Sequence, residues 1–194
     1  MISRARQRGE ALRFLLNEVY TLAMMAVICA VLTAALVMQY VYGELPCPLC
    51  LLQRVAMLGV CFGLMQNFRS GFSDRNLGYS LLFAVFLLIV SIRQTLLDIY
   101  PRPGHEYVGS AVLGLHMPVW SILIALALIS AFAVKLCIIG TEDGAAPPKR
   151  SSPFGMIALL LSVYVIALAL LNFGSVVVQC GLGECHTTGY ALLK

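Results

Sequence analysis

Charged residues are rare along this chain, and long apolar stretches separate them. Val19–Gly43 holds no Asp, Glu, Lys or Arg, and Leu45–Phe68 is interrupted only by Arg54. Asn76–Ile92 runs unbroken up to Arg93, and Tyr107–Val134 and Ser151–Gly183 complete the set. A helix needs about 20 apolar residues to cross a bilayer. The pattern therefore predicts five transmembrane helices, over 20–42, 47–67, 77–97, 118–139 and 154–177. Continuous runs of Leu, Ala, Val, Ile and Phe suit helices rather than the alternating strands of a membrane barrel. The separators are turn-like: Gly43-Glu44-Leu45-Pro46, Ser70-Gly71-Phe72-Ser73-Asp74, Pro101-Arg102-Pro103-Gly104 and Ala145-Ala146-Pro147-Pro148.

Composition agrees. Of 194 residues, 60% are hydrophobic and 11% charged, against about 45–50% and about 25% in soluble domains. That excludes a water-soluble globule, a disordered chain, a collagen and a disulfide-stapled secreted domain. The expected fold class is an all-α integral membrane bundle in a single membrane domain, 1–194, with no soluble catalytic domain. Short-loop Lys and Arg set orientation. Arg4, Arg6, Arg8 and Arg13, then Arg69 and Arg75, then Lys135, Lys149 and Arg150 fall on one side, against Arg102 and Lys194 on the other. The N-terminus is thus expected in the cytoplasm and the C-terminus outside, with 141–153 a cytoplasmic loop and 178–194 an outer tail. The first apolar run exceeds the roughly 7–15 residues of a signal-peptide core, so cleavage is not expected. There is no internal repeat.

With this topology the seven cysteines separate. Cys47 and Cys50 lie at the outer start of helix 2, and Cys180 and Cys185 follow helix 5 on the same side. Cys29, Cys61 and Cys137 fall inside apolar runs, where they are expected to pack as small hydrophobes. Two close pairs thus face the side where disulfides persist. Pro48 suits the first helical position, which makes Cys47 the N-cap. A thiolate there sits at the positive end of the helix dipole, and Cys50, one turn on, is within reach of a disulfide. A static disulfide or half of a zinc site are the alternatives; a complete zinc site wants four ligands. Arg54 lies four residues past Cys50 on the same helix face, about 6 Å deeper. It would stabilise a thiolate or donate to the carbonyls of a lipid-soluble acceptor, with snorkelling to headgroups the alternative. Arg93 admits the same two readings. Gly181 and Gly183 permit the turn that joins Cys180 to Cys185, as a redox pair or as a clip on the tail. His186 neighbours Cys185, His105 and His116 lie around the third loop, and Trp120 and the tyrosines fit an aromatic belt.

Pro46-Cys47-Pro48-Leu49-Cys50-Leu51-Leu52-Gln53-Arg54 resembles the signature of the DsbB family of disulfide-generating, quinone-reducing membrane proteins. Ser91-Ile92-Arg93-Gln94-Thr95-Leu96-Leu97-Asp98 before Tyr100-Pro101, and Gly114-Leu115-His116-Met117-Pro118-Val119-Trp120, agree with it. The similarity covers about 12–140. It implies that Cys47 and Cys50 pass electrons to a bound ubiquinone or menaquinone and that Arg54 holds it. It places Arg93 and Gln94 near the quinone, Gln94 standing where the family often has His. Better-known members carry their second pair between helices 3 and 4. Here Ile99–Met117 has no cysteine, and a fifth helix leads to Cys180 and Cys185 instead.

The resemblance implies a bacterial inner-membrane thiol oxidase that reoxidises a periplasmic thioredoxin-like, DsbA-type partner and binds neither metal nor nucleic acid. A non-enzymatic subunit with structural disulfides, or a reductase running the relay in reverse, are the alternatives. A transporter is a poorer fit, since Arg54 and Arg93 would be its only intramembrane charges.

Overall fold

The computed structural model describes residues 2–99, 111–138, 140, 152–181, 183, 185 and 190–192. Among the described residues there are five helices: α1 (Ile2–Tyr40), α2 (Pro48–Ser70), α3 (Asp74–Ile99), α4 (Met117–Ile138) and α5 (Pro153–Cys180). Each contains a stretch long and apolar enough to span a membrane, as expected of an all-α membrane protein. The spans agree with the sequence pattern to within a few residues at most ends, and the differences are informative. Helix α1 begins far earlier than the apolar run, continuing through the basic segment, whose apolar part starts at Leu12. Helix α5 runs three residues past the expected end, so Cys180 is its last helical residue rather than part of a free tail. Gly181, at φ +60°, stops it, with its N–H on Val177 O.

The loop before α4 ends in a small hairpin that the apolar pattern did not announce. Strand β1 (Ala111–Val112) pairs antiparallel with β2 (Leu115–His116). Leu113 and Gly114 both take positive φ, 52° and 79°, as a tight two-residue hairpin turn requires.

Helices α2 and α3 form the tightest pair. Gly59 and Gly63 lie one turn apart, the spacing that lets membrane helices approach closely. A Cβ on Gly63 would meet Asn76 O and Ser80 N at 2.7 Å, and Ser80 Oγ donates to Val60 O across the seam at 3.1 Å. The other face of α3 packs on α4, while α5 packs on α1 and α2 rather than on its neighbour in sequence. The core runs along Met25, Ile28, Leu32 and Leu36 of α1, Met57, Val60 and Leu64 of α2, Leu87 of α3, and Leu128 and Phe132 of α4. Cys29 and Cys61 are buried in it as expected, whereas Cys137 is exposed. Helices α1 and α4 are not packed along each other, which leaves a seam between them.

Candidate functional site

The site lies where α2 begins. Cys47 is the N-cap of α2 and Pro48 opens the helix; Cys47 Sγ accepts the N–H of Cys50 at 3.1 Å. Cys47 and Cys50 are joined in a disulfide with Cα atoms 5.0 Å apart. The arrangement follows from local chemistry: proline needs no N–H partner at the first helical position, and the cap must be an acceptor.

Gln94 of α3 reaches this disulfide. Its amide Nε2 donates to Cys47 Sγ at 3.2 Å and to Cys50 Sγ at 3.3 Å. The Gln94 carbonyl accepts from Gln53 Nε2 at 2.9 Å, and the Gln53 carbonyl accepts from Ser121 Oγ at 3.0 Å. Three helices thus form one directional chain, Ser121 to Gln53 to Gln94 to sulfur. All three residues are buried, where an unmet polar group is costly.

Arg54 points the other way. Its guanidinium donates to Gln39 Oε1 at 2.6 Å and to Ala35 O at 3.0 Å, both on α1. Gln39 passes the connection to α5, donating to Ser175 Oγ at 2.6 Å and to Tyr190 Oη in the tail at 3.4 Å. A charged side chain inside a membrane helix is tolerated where it has such partners.

Between these groups, in the seam of α1 and α4, lies a cavity of about 160 Å³. Cys50, Gln53 and Arg54 line one wall, Leu32, Ala35, Met38 and Gln39 a second, and Met117, Trp120, Ser121 and Ile124 a third, with Leu45 and Pro46 at the end. An apolar cavity of about 150 Å³ admits benzene, so this one has room for one aromatic-sized ring. Trp120 Nε1 is anchored to Val112 O at 2.9 Å, which ties the hairpin to the cavity wall.

The second pair, Cys180 and Cys185, is also a disulfide, with Cα atoms 4.1 Å apart. It lies at the same end of the bundle, because Gln179 Nε2 donates to Pro46 O at 2.7 Å. The tail folds back on α5: Ala191 N bonds Gln179 O and Leu192 N bonds Val178 O, each at 3.2 Å.

The structure therefore brings Cys47, Cys50, Arg54 and Gln94 together and sets Cys180–Cys185 beside them. Gln94 stands against the sulfurs rather than among the residues lining the cavity. Arg93 is not with them: it is exposed on the outer face of α3, in a shallow groove with Ile89, Ile92, Leu96 and Leu97. His105 and His186 lie outside the described residues, and His116 is exposed in β2. Among the described residues no cluster of His, Cys, Asp and Glu could hold a metal. Sequence reasoning missed Gln39, Gln53, Ser121 and Gln179. Three amides in apolar helical runs were the available signal.

Residues 17–109 match the family described as Disulfide bond formation protein DsbB, a stretch that holds Cys47, Cys50, Arg54, Arg93 and Gln94 and stops short of α5. A protein of Chromohalobacter salexigens named Disulfide bond formation protein B is 36% identical over a region covering 49% of this chain. That region spans 60% of the relative's own length. No solved structure matches the chain.

Proposed function

From the premise that this chain belongs to the DsbB family of membrane disulfide bond formation proteins, we propose that it is a thiol oxidase of the bacterial inner membrane. Its substrate is a reduced, thioredoxin-like, DsbA-type periplasmic protein, and its electron acceptor is ubiquinone or menaquinone. The N-terminus is cytoplasmic and the end carrying both disulfides is periplasmic. One observation carries the reading: Cys50 and Arg54 line the same ring-sized apolar cavity.

The residues fit a quinone. The cavity walls are largely aliphatic and Trp120 supplies an aromatic face. A guanidinium has five N–H donors; among the described residues Gln39 and Ala35 take two, so donors remain for a ring carbonyl. When bound, a quinone supplies a sink for two electrons and two protons. The protein's part is to hold the Cys50 sulfur and the Arg54 charge on one wall, and to keep Cys47 and Cys50 reducible through the Gln94 amide. Exchange between the tail pair and Cys47–Cys50 delivers the partner's electrons to that wall.

The test is quinone reduction by the purified protein in detergent, driven by a reduced thioredoxin-like protein. Cys47→Ser is expected to abolish turnover. Arg54→Met removes a charged hydrogen-bond donor, worth about 1.5–3 kcal/mol, and is expected to raise the KM for quinone by about tenfold or more. Absence of wild-type turnover with both ubiquinone and menaquinone would overturn the reading in favour of a non-enzymatic subunit.

A further inference from the structure

The cavity between α1 and α4 has one acidic residue among those lining it. Glu44, in the connection from α1 to α2, lines it beside Leu45 and Pro46. Gly43, at φ +71°, turns the chain back on α1, and the Glu44 N–H bonds Met38 O at 3.2 Å. Met38 is itself a wall residue, so the backbone that carries the carboxyl is tied to the cavity. Glu44 is half-buried and follows three exposed residues, Val41, Tyr42 and Gly43. It therefore stands at the border between the cavity and the water at the end that carries both disulfides.

Reducing a quinone to the quinol takes two protons as well as two electrons, and negative charge left in an apolar cavity is costly. The wall offers few groups that can give a proton up. The guanidinium of Arg54 stays protonated in proteins. Gln39 and Gln53 are neutral amides, the Ser121 hydroxyl donates to Gln53 and the Trp120 N–H donates to Val112 O. Apart from Cys50, the other lining side chains are aliphatic or thioether. Tyr40 and Tyr190, the titratable side chains that interact with Arg54, are not part of the wall. A carboxyl is a side chain suited to general acid work, and Glu44 supplies it.

We propose that Glu44 is the proton donor for reduction of the electron acceptor, carrying a proton from the outer water into the cavity. The proposal rests on the quinone-reducing reading above and adds the proton path to it. As the Cys47–Cys50 disulfide re-forms, the dithiol gives two electrons to the quinone and two protons to water. The Glu44 carboxyl gives its proton to one ring oxygen and is left as carboxylate. Water at the outer end supplies the proton for the other oxygen and restores the Glu44 carboxyl. The dithiol ends as disulfide, the acceptor as quinol and Glu44 as it began, so electrons and protons balance.

The experiment uses the full chain in detergent, in a Cys180→Ser/Cys185→Ser background with Cys47 and Cys50 reduced beforehand. It is mixed with the short-chain ubiquinone or menaquinone that the protein reduces, and quinol formation is followed over a single turnover. A general acid contributes about 10²–10⁴-fold, so Glu44→Gln is expected to slow this step by about a hundredfold or more. Quinone affinity, read by quenching of Trp120, should not change. The residual rate in Glu44→Gln should fall in proportion to hydronium as pH rises, because bulk water is then the donor, and acetate should restore the rate of Glu44→Ala. In quinone-free protein, Trp120 is the only tryptophan and shares the cavity with Glu44. Its fluorescence is expected to show a titration step that Glu44→Gln removes. An unchanged rate in Glu44→Gln would overturn the proposal and leave the oxidase reading standing, whereas no quinol from the parent protein would overturn that reading itself. A slower rate with weakened quinone binding, or with no rescue by acetate, would make Glu44 a structural residue and overturn its role as donor. A Trp120 signal indifferent to Glu44 would place the carboxyl outside the cavity, with the same result.

Discussion

Replacing Gln94 by Leu keeps the side-chain volume roughly constant and removes the amide that donates to both sulfurs of Cys47–Cys50. A disulfide sulfur is a weak acceptor, and the thiolate formed on reduction is a strong one. The two N–H···S contacts, at 3.2 and 3.3 Å, therefore favour the reduced pair over the oxidised one. A hydrogen bond to a charged group is worth about 1.5–3 kcal/mol, and for a two-electron couple about 30 mV corresponds to 1.4 kcal/mol. Gln94→Leu should accordingly make the reduction potential of the pair more negative by about 30–60 mV. The pair becomes a poorer oxidant of the tail. The measurement is redox equilibration in dithiothreitol buffers, followed by alkylation and gel shift. It is made in a Cys180→Ser/Cys185→Ser background so that only Cys47 and Cys50 report. Gln94→His, which retains a ring N–H donor, should recover part of the shift. A potential unchanged to within about 10 mV, or one moved upward, would refute the idea that this amide stabilises the reduced pair.

Two further changes probe the supports of that amide. Ser121→Ala removes the donor to Gln53 and frees the Gln53 and Gln94 amides to reorient, so a smaller shift in the same direction is expected, measured in the same buffers. Gly63→Ala places a methyl against the backbone of α3, 2.7 Å from Asn76 O and Ser80 N. Neither atom can retreat without separating the helices, so a loss of about 1–3 kcal/mol is expected, read as a lower Tm in detergent; an unchanged Tm would mean the α2–α3 seam has slack.

The large features of this molecule were written in its hydropathy. Five apolar stretches, charge-free but for Arg54 in the second, became five helices, and Pro48 announced both the start of α2 and the capping role of Cys47. Helical spacing put Arg54 on the helix face of Cys50, and both side chains line the cavity. The polar interior was less legible for a physical reason. A ruler made of charges is blind to neutral amides, and Gln39, Gln53 and Gln179 carry none. Gln94 was visible only through the family motif, which pointed towards a ligand rather than towards sulfur. Arg93 shows the converse: a charge in an apolar run draws attention, yet its helix face turns outward, and sequence periodicity alone did not tell which face of α3 meets the bundle. The hairpin at 111–116 was hidden because Leu113-Gly114 lacks the Asn-Gly or Asp-Gly that marks such turns.

The seam between α1 and α4 decides how a ligand of the cavity is supplied. Both helices line the cavity without being packed along each other, so a ligand that reaches it from the bilayer would pass between them. A molecule entering there dissolves in the bilayer first and meets the protein by diffusing in a plane. Its effective concentration is then its mole fraction among the lipids, set by how much membrane there is to share it. Diluting a sample with buffer should leave saturation unchanged, whereas adding empty micelles or lipid should lower it in proportion.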